Sequence, residues 1–146
     1  MIPRFGRPPQ PGQSYRPRPG VYAILLDHRG LLATWQGGIH EEIQLPGGGI
    51  DPGESPLQAL HREVMEETGW IIAQPRRVGA HRRFTYMPEY DRWAEKICSI
   101  YLARPVRQLR PPSEPDHFPL WLDPAEAVRL LATEGDAAVL AQLLGA

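Results

Sequence analysis

Residues Gly48–Trp70 read GGIDPGESPLQALHREVMEETGW. Five carboxylates lie in this stretch, Asp51, Glu54, Glu63, Glu66 and Glu67, and three of them crowd into Glu63–Glu67. A solvated helix usually mixes its charges so that opposite signs meet at i,i+4. Here like charges stack, and they repel unless a cation sits among them. Ser55 is a good N-cap, Gln58 completes a capping box, and Pro56 falls at the first helical position, where its missing N–H costs nothing. Gly69 supplies a natural stop. The letters therefore predict a helix over Pro56–Thr68. Leu57, Leu60, Val64 and Thr68 form its expected buried stripe. At about 100° per residue, Glu63, Glu66 and Glu67 fall together at one edge of that stripe. Clustered oxygen donors of this kind suit a hard divalent cation such as Mg²⁺.

The preceding Leu45-Pro46-Gly47-Gly48-Gly49 brings bare backbone close to whatever the helix holds. A carbonyl here is a candidate metal ligand, and amides here are candidates to face phosphate oxygens. With these residues in place the stretch resembles the Nudix hydrolase (MutT-like) motif G-x5-E-x7-R-E-U-x-E-E-x-G-U, where U is bulky and apolar. Gly48, Glu54, Arg62, Glu63, Val64, Glu66, Glu67 and Gly69 match. Trp70 stands where an aliphatic residue is usual, a departure that touches packing rather than chemistry.

The resemblance implies an α/β fold (α+β in some schemes), the Nudix α/β/α sandwich, with a mixed sheet and a catalytic loop-helix-loop. It implies a pyrophosphohydrolase that uses Mg²⁺ or Mn²⁺. Glu66 and Glu67 correspond to the main metal ligands, with Glu63 as a further ligand or as base for the attacking water. Arg62 would hold Glu63 in place, Glu54 would stand behind them, and the carbonyl of Gly47 or Gly48 would be the backbone ligand. Some relatives add an acid from a loop before the last strand, where Glu114 and Asp116 stand here. The implied substrate is a nucleoside diphosphate derivative. A nucleoside triphosphate cleaved to monophosphate and pyrophosphate comes first, with ADP-ribose, a nucleotide sugar or a dinucleoside polyphosphate as alternatives. A domain that senses a nucleotide without cleaving it is the non-enzymatic reading. The intact acidic set argues against it, because a pure binder has no need of clustered like charges.

Outside the motif, 146 residues suffice for a sizeable core. A net charge of −1 gives no global field for nucleic acid or an anionic membrane, and the small-molecule nucleotide that the resemblance implies is the expected partner. The single Cys98 excludes an internal disulfide and reads as a core residue. No run approaches a membrane span and no apolar leader is present, so a cytoplasmic location is the expectation. Residues 1–20 hold six of the 17 prolines and four arginines, and read as an extended arm ahead of a domain at 21–146. Such an arm would lie on the body or on a second subunit, as in a homodimer.

The remaining elements follow from periodicity and breakers. Val21–Leu26 and Leu31–Trp35 read as a hairpin, and Ile43–Leu45 as a short strand. Ile71–Tyr86 reads as extended, Lys96–Ala103 as a strand, Pro105–Pro115 as a loop and Phe118–Leu122 as a last strand. Asp123-Pro124 caps a helix to Ala132, and Asp136 is a candidate N-cap for a final helix to Leu144. His28 and His40 read as surface histidines, Glu41 and Glu42 as solvated acids. Arg82 and Arg83 are candidates for phosphate, and Tyr86, Tyr90 and Trp93 for stacking a base; strand-face exposure and rim packing explain the same residues.

Overall fold

A computed structural model describes residues 1–145. Its seven strands are β1 (Arg16–Asp27), β2 (Gly30–Gln36), β3 (Glu42–Gln44), β4 (Gly47–Gly49), β5 (Trp70–Met87), β6 (Arg92–Gln108) and β7 (His117–Leu122). Its helices are α1 (Pro56–Thr68), α2 (Pro124–Leu130) and α3 (Glu134–Leu143). The main path of the sheet is β3-β2-β1-β6-β5, with β4 added to β1 and β7 to β2. Pairings between these strands are antiparallel except β1 with β6, so the sheet is mixed.

Alternation along β1 sorts the core into two layers. Val21, Ala23 and Leu25 pack with Ala59, Leu60 and Val64 of α1. Ile24 faces the other way, with Leu31 and Ile100, toward Ala127 of α2 and Leu140 of α3. The helices thus cover both faces of the expected sandwich. Cys98 is buried in the second layer, which pushes its thiol up to about 11. No helix among the described residues is long and apolar enough to cross a membrane.

α1 has the predicted bounds and capping box. Its stripe differs at one end: Leu57 is 43% exposed, while Ala59 and Glu67 are buried. Leu57 lies in the first turn, outside the cluster that α1 builds with the sheet.

Several boundaries move. β1 begins at Arg16 rather than Val21, because Arg16–Leu25 pair with Ala94–Ala103. Pro17 and Pro19 are tolerated there. The Pro19 carbonyl accepts from Ile50 N–H (3.2 Å), so the side that lacks an N–H faces away from β6. β6 continues past Pro105 to Gln108, with a register shift between Ile71 and Ile72 where Pro105 meets β5. α3 takes Thr133 as its N-cap residue, not Asp136, because the Asp136 carboxylate is bound to His81 Nε2 at 2.7 Å inside the core.

The N-terminal segment lies along the free edge of the sheet. Phe5 N–H donates to the Arg82 carbonyl and Arg82 N–H to the Pro3 carbonyl, both at 2.9 Å, and Tyr15 packs edge-on against Phe84 and Trp93. These contacts cover backbone that an edge strand would expose. Deleting residues 1–15, which spares β1, is expected to leave a folded core that melts a few degrees lower, read by circular dichroism. Loss of the cooperative transition would show that the segment is integral to the core.

Candidate active site

The acidic edge of α1 meets β4 because glycines let it. A Cβ on Gly48 would stand 2.6 Å from the Glu63 carboxyl carbon, and one on Gly47 would stand 2.1 Å from the Val21 carbonyl oxygen. Gly47 N–H donates to Glu67 Oε1 at 3.1 Å. Burial, with Glu63, Glu114 and Glu66 nearby, holds the Glu67 carboxyl well above the usual glutamate range, against the opposing pull of the Gly47 bond. Burial also raises Glu63, against the opposing pull of Arg62.

Arg62 organises the rest. It binds Glu54 through two nitrogens (Nε–Oε2 2.6 Å, Nη2–Oε1 2.9 Å). Nη1 reaches Glu63 Oε1 at 3.1 Å and Glu66 Oε2 at 3.2 Å, and Nη2 donates to the Gly49 carbonyl at 3.1 Å. The bidentate contact, with Asp51 N–H donating to Glu54 Oε1 at 2.9 Å, brings the Glu54 carboxyl down to about 2. Arg62 therefore locks the loop before α1 to the acidic edge of α1.

The donor chemistry fits a hard divalent cation. Glu67 is buried with no Arg or Lys partner among the described residues, and Glu63 and Glu66 share one guanidinium nitrogen. No three acidic or histidine side chains among the described residues already converge at ligand distance. The positive charge between Glu63 and Glu66 is that of Arg62.

Sequence reasoning missed His117, the first residue of β7. Its Nδ1 lies 3.0 Å from the Pro115 carbonyl, which can only accept, so Nδ1 carries the proton and Nε2 faces Glu67 Oε2 at 3.5 Å. Both side chains are buried. No sequence spacing links the two. The β2–β7 pairing delivers them, with His117 opposite Gln36. Of the two acids proposed from this loop, Glu114 borders the cleft, and its N–H donates to the Glu66 carbonyl (2.9 Å). Asp116 is not among the cleft-lining residues; it has a left-handed backbone (φ 62°) and its carbonyl accepts from Gly37 N–H.

Glu63, Glu67 and Glu114 open into a cleft of about 440 Å³, while Glu66 is not among its lining residues. Tyr86 and Tyr90 border it, and both are exposed. The Tyr86 hydroxyl donates to Asp91, and Tyr90 lies under the Arg18 guanidinium at 4.7 Å. Trp93 packs on Tyr15 and Tyr86 instead of lining the cleft. Arg82 does not line it either. It pairs with Glu95 (3.2 Å) and the Ile2 carbonyl, because alternation along β5 turns Arg83, not Arg82, inward. His40 and Glu42 also border the cleft, and His40 Nε2 contacts Glu89 at 2.6 Å.

The family model of the NUDIX domain matches residues 16–143. A Bacillus subtilis protein provisionally named 8-oxo-dGTP diphosphatase is 44% identical over 66 residues, covering 45% of this chain and 39% of the relative. An RNA pyrophosphohydrolase of Photobacterium profundum is 35% identical over 91 residues, covering 60% and 51%. The chain thus spans about half or less of the curated relatives it matches. Among solved structures, a NUDIX hydrolase from Nitrosomonas europaea superposes with a TM-score of 0.73 at 18% identity, over 89% of this chain and 90% of that one. A MutT protein from Bacillus halodurans superposes at 0.67 and 21%, over 88% and 83%. At these identities the likeness is one of fold.

Proposed function

This chain belongs to the NUDIX domain family, and we propose that it hydrolyses a diphosphate linkage in a nucleoside diphosphate derivative, foremost a nucleoside triphosphate cleaved to monophosphate and pyrophosphate. The observation that carries this reading is the buried Glu67 carboxylate against Gly47 N–H, with Glu63 and Glu66 gathered beside it by Arg62. Glu66 and Glu67, with the Gly47 carbonyl, would hold Mg²⁺ or Mn²⁺, which leaves Glu63, otherwise a further ligand, to act as base. A divalent cation bound there neutralises phosphate oxygens and stabilises the leaving phosphate.

The chain's own residues supply the rest. Water oxygen forms the new bond to phosphorus, the bridging P–O bond breaks, and the water proton passes to Glu63. Burial makes this carboxylate more basic than an ordinary glutamate. Arg62 fixes the orientation of Glu63 while its other arm holds Glu54. Tyr86 and Tyr90 offer ring faces to the nucleoside at the cleft mouth.

The name of the Photobacterium profundum relative favours a second reading, the 5′-triphosphate end of an RNA. A product assay decides between them. Pyrophosphate from free nucleoside triphosphates is the expected result. Release only from a 5′-triphosphorylated oligonucleotide supports the second reading. AMP and ribose phosphate from ADP-ribose, with triphosphates untouched, overturns both.

Metal and pH should act on stability together. Glu63 and Glu67 bind protons more tightly folded than unfolded. Their contribution is therefore fully present below the unfolded glutamate value of about 4.3, and is lost as pH rises through the raised folded values. The metal-free protein is expected to lose melting temperature over that window. Millimolar Mg²⁺ should restore it at neutral pH, by about 2.7 kcal/mol at a hundred times the dissociation constant. Scanning calorimetry with and without chelator checks both; a transition indifferent to Mg²⁺ counts against the site.

A further inference from the structure

One charged cluster in the cleft is not used by the acidic site. Arg18 of β1 is the register partner of Lys96 in β6, and Lys96 is the register partner of Arg83 in β5. Side chains opposite one another on neighbouring strands share a face, and all three residues line the cleft. Three cations therefore form one rung across three adjacent strands, about 10 Å from end to end at the usual strand spacing. Like charges directly opposite one another are destabilising.

Among the described residues none of the three makes an ion pair, and the one side-chain hydrogen bond is Arg18 Nη2 to the Tyr90 hydroxyl at 3.4 Å. Arg83 Nε is buried with no partner. The acid that acts most on Lys96 from a neighbouring element, Glu89, is bound to His40. Burial and Arg83 hold the Lys96 ammonium below its usual range. Arg82, one residue from Arg83 and on the opposite face, does have a carboxylate, Glu95. Of the two neighbouring arginines, the one that faces the cleft is the one without a carboxylate partner.

We propose that Arg18, Lys96 and Arg83 form a polyphosphate-binding rung that holds a phosphoryl group of the substrate other than the one attacked by water. A single carboxylate would meet one end of the row, whereas a polyphosphate carries charge along its length. A triphosphate has two phosphoryl groups besides the attacked one and a nucleotide sugar has one, so the rung favours the triphosphate. This inference rests on the diphosphate-hydrolase reading for its substrate, but anion binding by the rung can be measured without turnover.

Inorganic tripolyphosphate is titrated by calorimetry into wild-type protein in EDTA, and into the K96M, K96R and R83M variants. Wild type and K96R should bind. K96M and R83M should bind about tenfold more weakly or worse, as expected for the loss of one charge-assisted contact. Before anion is added, K96M should melt at or above wild type, because it removes a half-buried charge set between two like charges. With Mg²⁺, K96M should raise KM for nucleoside triphosphates by a larger factor than KM for a nucleotide sugar. Equal tripolyphosphate affinity in wild type, K96M and R83M, or no binding by wild type, overturns the rung. Loss of binding in K96M in a protein that cleaves no diphosphate compound keeps the rung and overturns the hydrolase reading instead.

Discussion

Glu67→Gln is expected to lose turnover by roughly a hundredfold or more while the protein becomes more stable without metal. Ligand carboxylates set metal affinity, and even residues that only support ligands are worth ten- to a hundredfold. Gln keeps the size and leaves an oxygen for Gly47 N–H. It removes a buried charge whose ionised form is disfavoured by burial and by Glu63, Glu114 and Glu66. Glu66→Gln should lose activity comparably with little gain in stability, since Glu66 is less buried and already shares Arg62. Steady-state assays at limiting Mg²⁺, paired with melting of the chelated proteins, separate the two. Wild-type rates in both variants would remove the acidic edge from the chemistry.

Gly69→Ala should produce the largest loss of stability, about 2–4 kcal/mol, without touching an acid. Gly69 closes α1 in the left-handed region (φ 78°), which costs an alanine roughly 1 kcal/mol. Its Cβ would also stand 1.7 Å from the Arg110 carbonyl oxygen, a backbone atom that cannot swing aside. The segment after β6 crosses here: Leu109 N–H donates to the Gly69 carbonyl, and Ser113 and Glu114 N–H to the Glu66 carbonyl, all at 2.9 Å. Moving it would disturb Glu66 and the approach to His117 together. Urea denaturation measures the loss, and a midpoint unchanged from wild type would mean that the segment yields at no cost.

The sequence by itself determined α1, its caps and its acidic edge. Those depend on local rules: a hydroxyl and Gln58 at fixed offsets, proline at the first turn, glycine at the stop, and carboxylates at helical spacing. It also determined that β-rich segments surround one central helix, because apolar runs bounded by Gly, Pro and Asp read as strands from either side. The tertiary structure decided what each flank faces. Pro17 and Pro19 looked like part of a free arm, and parallel pairing with β6 drew them into the sheet by placing their missing N–H groups on the other side. Asp136 looked like a cap until the fold set His81 beside it. Arg82 and Arg83 are indistinguishable as letters, and the pleat of β5 gave one a carboxylate and turned the other into the cleft. His117 reached Glu67, and Lys96 fell between two arginines, only through pairings of strands distant in the chain. Register and layer depend on contacts between residues far apart in sequence, which no local spacing encodes.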